Sequence, residues 1–443
     1  MKVLMLGWEF PPFISGGLGT ACYGLTRAMS KTGVEVTFVL PKPVSTEYSS
    51  HVKLATPGSG RKIPGSEIFG SDEFANVAFR TIDSLIQPYQ NSDTYNEAYE
   101  DLLRQMGEVA GSREEIIKEF LNIDSLKHSA NYGGDLYQEV QRYARLATII
   151  SREEDFDVIH AHDWMTYPAG MAVSGLTGKP LIVHAHSTEF DRSGENVNQV
   201  VYDIERQGLH YAAHVIAVSA LTRNVLVSRY GINKNKVKVV YNAIDRPDSF
   251  VDVDASRSAI RKDEKIVLFL GRITMQKGPE YFLAAAKKVL EVMDNVKFVM
   301  AGSGDMVRMT IEMAAEMGIG HKVLFTGFLR GDDVDKIFRM ADLFVMPSVS
   351  EPFGLVPLEA LRNDVPVLIS KQSGVAEVLT HALKVDFWDI NEMANKIVAV
   401  LRHPPLQMTL REHGNFEVRK LSWEDSARQC VDIYESVLAT AAV

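Results

Sequence analysis

Lys265-Ile266-Val267-Leu268-Phe269-Leu270-Gly271-Arg272-Ile273-Thr274-Met275-Gln276-Lys277-Gly278-Pro279 reads as a buried strand, a loop rich in turn residues, and the first turn of a helix opened by proline. Working forward, the same rhythm recurs at Lys297 to Met300, Val323 to Phe325, Leu343 to Met346 and Val365 to Ile369. Working backward, an earlier series runs through Lys2 to Gly7, Val34 to Leu40, Val158 to His160, Leu181 to His184 and Val215 to Ser219. Short apolar runs separated by segments of helical length are the pattern of parallel sheets with helical crossovers. The two series are parted by Ala243 to Asp263, a polar stretch containing Pro247 with few helix or strand signals. The chain therefore reads as α/β, with two doubly wound domains: residues 1–245, joined by a terminal helix over 423–443, and residues 262–422. Its 443 residues are too many for one compact sheet and suit two domains of roughly 200.

Composition removes several function classes. Lys and Arg total 47 against 57 Asp and Glu, and a net charge of −10 argues against general attraction to nucleic acid or anionic membrane. The only cysteines, Cys22 and Cys430, support neither a disulfide framework nor a cysteine-rich metal site, which points to a reducing, cytoplasmic setting. No apolar run approaches the ~18 residues that span a bilayer, so no membrane insertion is expected. Residues 84–151 depart from the rhythm and read as a helical excursion, periodic from Asp135 to Ile150.

Chemistry-bearing residues gather where strands end. Trp8 to Thr20 is a proline-stiffened loop whose Gly16-Gly17-Leu18-Gly19 opens a helix, a place suited to an anion or to a plain glycine turn. It lacks the third glycine and the acidic residue closing the next strand that a dinucleotide fingerprint needs. His160-Ala161-His162-Asp163-Trp164 and His184-Ala185-His186-Ser187-Thr188-Glu189 each end a strand. Alternating histidines invite a metal, but no further ligands at a consistent spacing accompany them. Buried hydrogen-bonded imidazoles, or a polar cluster in which Asp163 and His186 meet a sugar, are the other readings.

In the second half, Arg272 and Lys277 place a fork and a point charge on one loop, suited to the two phosphates of a nucleotide sugar. Pro347 to Leu361 sets Glu351 and Glu359 eight apart around a turn, with the backbone of Phe353, Gly354 and Leu355 between them. Glu351 is placed to accept bonds from sugar hydroxyls and Glu359 to grip a ribose. Gly302-Ser303-Gly304-Asp305 and Gly327-Phe328-Leu329 add loops at the same edge, where Gly302, Gly304 and Phe328 would cradle a nucleoside. Ser373-Gly374-Val375 is one more turn that either approaches phosphates or simply joins helix to strand.

This constellation resembles the retaining, nucleotide-sugar-dependent glycosyltransferases of GT-B architecture, two Rossmann-like domains facing a central cleft, and in particular the glycogen/starch synthase-like group (glycosyl transferases group 1). The likeness covers nearly the whole chain and is most specific at Arg272 with Lys277 and at Glu351 through Glu359. It implies that His186 meets the transferred sugar near its anomeric carbon, that Arg272 and Lys277 hold the diphosphate, Glu351 the sugar and Glu359 the ribose. Asp163 would meet the sugar or acceptor, and Asn242 would line the cleft. It further implies retention of configuration, no obligatory metal, and a carbohydrate acceptor such as an α-glucan. A sucrose-phosphate-synthase-like or lipopolysaccharide-type transferase is the near alternative. A metal-dependent hydrolase built on the paired histidines and a non-catalytic nucleotide-sugar sensor are the alternatives of another class.

Overall fold

The structure, a computed structural model, describes residues 1–11, 16–41, 63–64, 72–82, 136–245 and 264–441. Most of the 84–151 excursion, most of the interdomain stretch, and Ile14 and Ser15 lie outside them. Two sheets form. The first holds β1 (Lys2–Leu6), β2 (Glu35–Pro41), β3 (Ile63–Pro64), β4 (Val77–Ile82), β5 (Val158–His162), β6 (Leu181–Ala185), β7 (His214–Ala217) and β8 (Val237–Val239). Their order is β3-β4-β2-β1-β5-β6-β7-β8. The second holds β9 (Lys265–Leu270), β10 (Val296–Ala301), β11 (Val323–Gly327), β12 (Leu343–Met346), β13 (Val367–Ser370) and β14 (Leu383–Val385), in the order β11-β10-β9-β12-β13-β14. The second sheet is parallel throughout; in the first, β3 runs antiparallel to β4 while β4, β2, β1, β5 and β6 are parallel.

The apolar runs form strands because helices cover both faces of a parallel sheet, so every position along a strand wants an apolar side chain. Val3 to Leu6, Val158 to His162 and Leu343 to Met346 are buried end to end. In the second domain Val267, Phe298, Leu343 and Leu368 meet Phe282, Leu283 and Ala286 of the helix Pro279–Leu290 and Ile397 and Val400 of the helix Ile390–Arg402. At ~25 cal/mol per Å², each such fully buried side chain contributes about 1.5–3 kcal/mol relative to exposure.

Strands β3, β4, β8 and β14 have no counterpart among the sequence-based expectations: β3, β8 and β14 span only two or three residues each, and the apolar start of β4 is interrupted by Arg80 and Thr81. The periodic stretch at 135–150 does form a helix, Leu136–Ser151. Its Tyr143 hydroxyl donates to the carbonyls of Gly7 (3.0 Å) and Val39 (2.9 Å), tying the helix to the ends of β1 and β2. The terminal helix runs Trp423–Ala441. Contacts divide the chain into two units: Met1–His184 with Ile204–His214 and Ile433–Val443, and Ala185–Asp203 with Val215–Asp432. No helix among the described residues is long and apolar enough to cross a membrane.

Both strand orders contain a point from which the chain winds outward in opposite directions: between β1 and β5, and between β9 and β12. Loops leaving the carboxyl ends of such a pair diverge and open a crevice, where ligands of open α/β sheets collect. The loops after β1, β5, β9 and β12 carry Gly16 and Gly17, Asp163, Arg272 and Lys277, and Glu351 respectively.

Candidate active site

In the first unit, β1 leads into Trp8-Glu9-Phe10, and the buried Glu9 carboxylate accepts the backbone N–H of Gly16, the N-cap of the helix Gly17–Lys31. A Cβ on Gly16 would fall against that carboxylate, whereas Gly17 is exposed and a Cβ there would meet nothing. Burial pushes the Cys22 thiol well up, and the nearby carboxylates of Glu9 and Asp163 push it further. One neighbourhood therefore gathers the glycine loop, Glu9 and Asp163. Asp163 is buried and holds φ 60°, a left-handed conformation that costs a non-glycine residue about 1–3 kcal/mol and clusters at functional sites. Its N–H donates to His184 O (3.0 Å), which pins it between β5 and β6.

His160 and His162, two apart on β5, do point to one side, and His184 on β6 stands opposite His162 in register. The three rings form a compact triangle: centroids lie 4.3 Å apart for His160 and His162, and 5.3 Å from each of these to His184. Nitrogens from the three come within 4.8 Å of one another. A divalent ion there would add two charges to a wholly buried site with no carboxylate among the three. His160 Nδ1 instead bonds the Tyr434 hydroxyl of the terminal helix (2.6 Å). Burial alone drops the His162 pKa to about 3, so that ring is neutral.

The second unit brings together Lys277 and Glu351. The loop after β9 ends in a 3-10 turn, Met275–Lys277, closed by Gly278 at φ 63°; a Cβ there would strike the Pro347 carbonyl. That close approach sets the loop after β9 against the loop after β12, and Val349 N donates to Gln276 O (2.9 Å). The Lys277 ammonium pairs with the Glu351 carboxylate, which also accepts the Ser348 hydroxyl (3.3 Å). Glu351 is buried, and its own backbone is held by Gln372 O and Gly374 N, both at 2.9 Å. Arg272 is half-buried at the start of the same loop.

Gly354, at φ 105°, turns the chain into the helix Leu355–Arg362. Phe353 is buried with its ring 6.2 Å from Tyr241, so only its backbone faces the turn, where its carbonyl accepts Val375 N (2.7 Å). Leu355 is buried as well, and Glu359 is half-buried one turn on. Burial raises the Glu359 carboxyl, Arg362 opposes the rise and Asp335 adds to it. Asn242 is buried just beyond β8. Phe328 is 51% exposed with the Arg330 guanidinium 5.0 Å from its ring centre, leaving a face open to a planar ligand.

Gly302 and Gly304 have a structural reason to be glycine. A Cβ on Gly302 would come 1.8 Å from Gly271 O, one on Gly304 2.2 Å from Ile273 O, and the Gly302 N–H is already given to Gly327 O (2.9 Å). His186 is half-buried at the end of β6, three residues before the short helix Glu189–Ser193.

Several residues escaped sequence reasoning. Glu9 lay inside the quoted glycine loop, but its bond to Gly16 depends on how the loop folds back. Asp191 accepts Thr188 N (2.7 Å), Thr188 Oγ1 (2.8 Å) and Ser350 Oγ (2.5 Å). Glu377 accepts the N–H groups of Ala220 (2.8 Å) and Leu221 (2.7 Å) and the Tyr241 hydroxyl (3.0 Å). Capping boxes have a local signature, and Thr188 with Asp191 carries a version of it; the partners more than 130 residues away have none.

Residues 251–415 match the family model of glycosyl transferases group 1, and residues 115–246 that of glycosyltransferase family 4. An uncharacterised glycosyltransferase of Methanocaldococcus jannaschii is 29% identical over 98% of both chains. A glycogen synthase of Mycobacterium tuberculosis is 24% identical over 86% of this chain and 80% of its own. Among solved structures, the sucrose-phosphate synthase of Thermosynechococcus elongatus superposes with a TM-score of 0.71 over 99% of both chains at 19% identity, a likeness of fold. With two parallel-sheet α/β domains of GT-B type, a glycosyl transferases group 1 match over residues 251–415 and glycosyltransferases among its relatives, the chain is a glycosyltransferase.

Proposed function

We propose that this enzyme moves glucose or a related hexose from a nucleoside-diphosphate sugar to an α-glucan or another sugar acceptor, with retention of anomeric configuration. The observation that carries the reading is the Lys277–Glu351 pair, set on the two loops that leave the switch point of the second sheet and pack against each other. A net charge of −10 makes any affinity for a diphosphate a local affair, and Lys277 with Arg272 supplies local cations at the place where the fold collects ligands. An ammonium has three N–H donors. The Glu351 carboxylate takes one, which leaves donors for phosphate oxygens while Glu351 turns its other acceptor sites to sugar hydroxyls.

In this reading residues 262–422 form the donor domain and residues 1–245 with 423–443 the acceptor domain. Arg272 and Lys277 neutralise the departing diphosphate and take the part a metal plays in other transferases. The Gly354 turn offers backbone N–H groups to the sugar, Glu359 holds the ribose and Phe328 stacks on the base. His186 meets the sugar near its anomeric carbon, and the strained Asp163 orients a hydroxyl of sugar or acceptor. Gly16, Gly17, Asn242, Gly302 and Gly304 shape the surrounding loops. The names glycogen synthase and sucrose-phosphate synthase, borne by a relative and a structural neighbour, agree with a hexosyl transfer.

The test is a donor and acceptor screen: UDP-, ADP- and GDP-sugars against glycogen, maltose and simple sugars and their phosphates, in the presence of a chelator, with the product's anomeric centre read by proton NMR. An α-linked product from an α-linked donor is expected. Inversion at that centre, or turnover only after metal is restored, would refute the mechanism.

A further inference from the structure

The segment leaving β6 carries His186 and runs into the helix Glu189–Ser193, which packs against the turn Met275–Lys277. Asp191 in that helix is 5% exposed, and its two carboxylate oxygens divide their work. Oδ2 accepts the backbone N–H of Thr188 at 2.7 Å and its hydroxyl at 2.8 Å, which completes the cap. Oδ1 accepts the Ser350 hydroxyl at 2.5 Å, a bond to a residue 159 positions away. Ser350 directly precedes Glu351, the partner of Lys277.

The cap needs only Oδ2, and the N3 acid of a capping box ordinarily sits in solvent. Burying this carboxylate is costly unless each oxygen is bonded, and a hydrogen bond from a hydroxyl to an ionised carboxylate is among the stronger ones. The bond made by Oδ1 therefore does something the local helix does not require: it joins the His186 segment to the loop of Glu351. Arg192, on the same helix, gives its Nε–H to Glu189 and an Nη1–H to Ser187, the neighbour of His186, so the segment is tied together internally.

Resting on the functional reading above, we propose that Asp191, acting through Ser350, is a positioning residue that fixes the His186 segment against the Lys277–Glu351 pair. It touches no substrate. Its effect is on geometry, and transfer rates fall steeply when reacting groups are displaced by as little as 1 Å.

The variant Ser350→Ala removes this bond and leaves the Thr188–Asp191 cap intact; Ser350→Thr keeps the hydroxyl. Hydrogen–deuterium exchange of the substrate-free protein is read over 186–193, with β10 as the internal reference, beside kcat, donor KM and melting temperature. For Ser350→Ala the expected result is exchange in 186–193 accelerated roughly five-fold or more with β10 unchanged. Its kcat should fall by about ten-fold while donor KM stays within about three-fold and the melting temperature barely moves; Ser350→Thr should return both exchange and kcat toward wild type. Unchanged exchange in 186–193 overturns the proposal, as does a kcat near wild type, or a loss that the threonine fails to relieve. Should the wild-type enzyme transfer nothing from any nucleoside-diphosphate sugar, it is the functional reading that falls, and the exchange arm still decides whether the tie exists.

Discussion

Replacing Lys277 with Met tests the centre of the proposed mechanism, because it keeps the length and apolar stem of the side chain and removes only the charge. The side chain of Glu351 is 9% exposed and that of Lys277 20%, so the substitution leaves a nearly buried carboxylate with the Ser348 hydroxyl as its remaining donor among the described residues. Breaking a fully buried pair costs about 3–5 kcal/mol. With one partner partly in water and one hydrogen bond kept, about 2 kcal/mol is the expected loss, which lowers the melting temperature by about 4–8 °C at ~2–4 °C per kcal/mol for a domain of this size. Catalysis should suffer more. One preorganised donor aimed at developing charge accounts for about 2.7–4 kcal/mol, a factor of about 10²–10³ in kcat. The unpaired Glu351 would also repel an incoming diphosphate and weaken its binding. The assay is kcat at saturating donor together with calorimetric titration of the free nucleoside diphosphate, at a temperature well below the variant's melting point. A folded Lys277→Met enzyme with kcat within about five-fold of wild type would refute the reasoning, since Arg272 would then be sufficient by itself and Lys277 would have no part in stabilising the diphosphate.

Three further outcomes follow from other parts of the molecule. The His162 ring, held near pKa 3 by burial against an ordinary value of 6.5, makes a contribution to stability that is complete above pH ~6.5 and lost as the pH falls toward 3. His162→Phe should therefore flatten the acid dependence of the urea midpoint between pH 6 and pH 4 by about one proton, or about 1.4 kcal/mol per pH unit, and parallel profiles would contradict it. Gly374→Ala would set a Cβ 2.3 Å from Pro352 O and 2.5 Å from Ser219 Cβ, so about 1–3 kcal/mol of stability should go, along with donor affinity as the Glu351 loop shifts; unfolding curves and donor titration check both. Glu377→Ala takes the acceptor from the Ala220 and Leu221 N–H groups at the start of the helix Ala220–Arg229, which Ser219 still caps, and should cost about 1 kcal/mol, whereas Glu377→Gln should recover much of it, which thermal melts would decide.

How much of this was legible in the sequence depends on the reach of each interaction. The strand at Lys265, the loop holding Arg272 and Lys277, and the turn around Glu351 are local patterns, and each appears at its expected place. Their meeting is also a consequence of order: once β9 and β12 are neighbours, their loops must flank the same crevice. Strand order is not written in any window of sequence, and neither is the fit of Gly278 beneath Pro347 or of Gly302 beneath Gly271. Sequence reasoning assigned Gly302 and Gly304 to a ligand because glycine admits a close approach, but it cannot say what approaches; here a neighbouring backbone does. The same limit hid Glu9, Asp191 and Glu377, whose carboxylates each accept backbone or hydroxyl donors from a loop distant in sequence or folded back upon them. Acidic residues in helices and loops are most often solvated, as Glu377 in part still is, and nothing local marks the few that are buried and bound, such as Glu9 and Asp191. That asymmetry has a mechanistic consequence. The residues that face a ligand carry recognisable chemistry at strand ends, while the residues that hold them at the right distance are ordinary in type and unusual only in burial, so it is the second set whose substitution will change rate without changing what the enzyme binds.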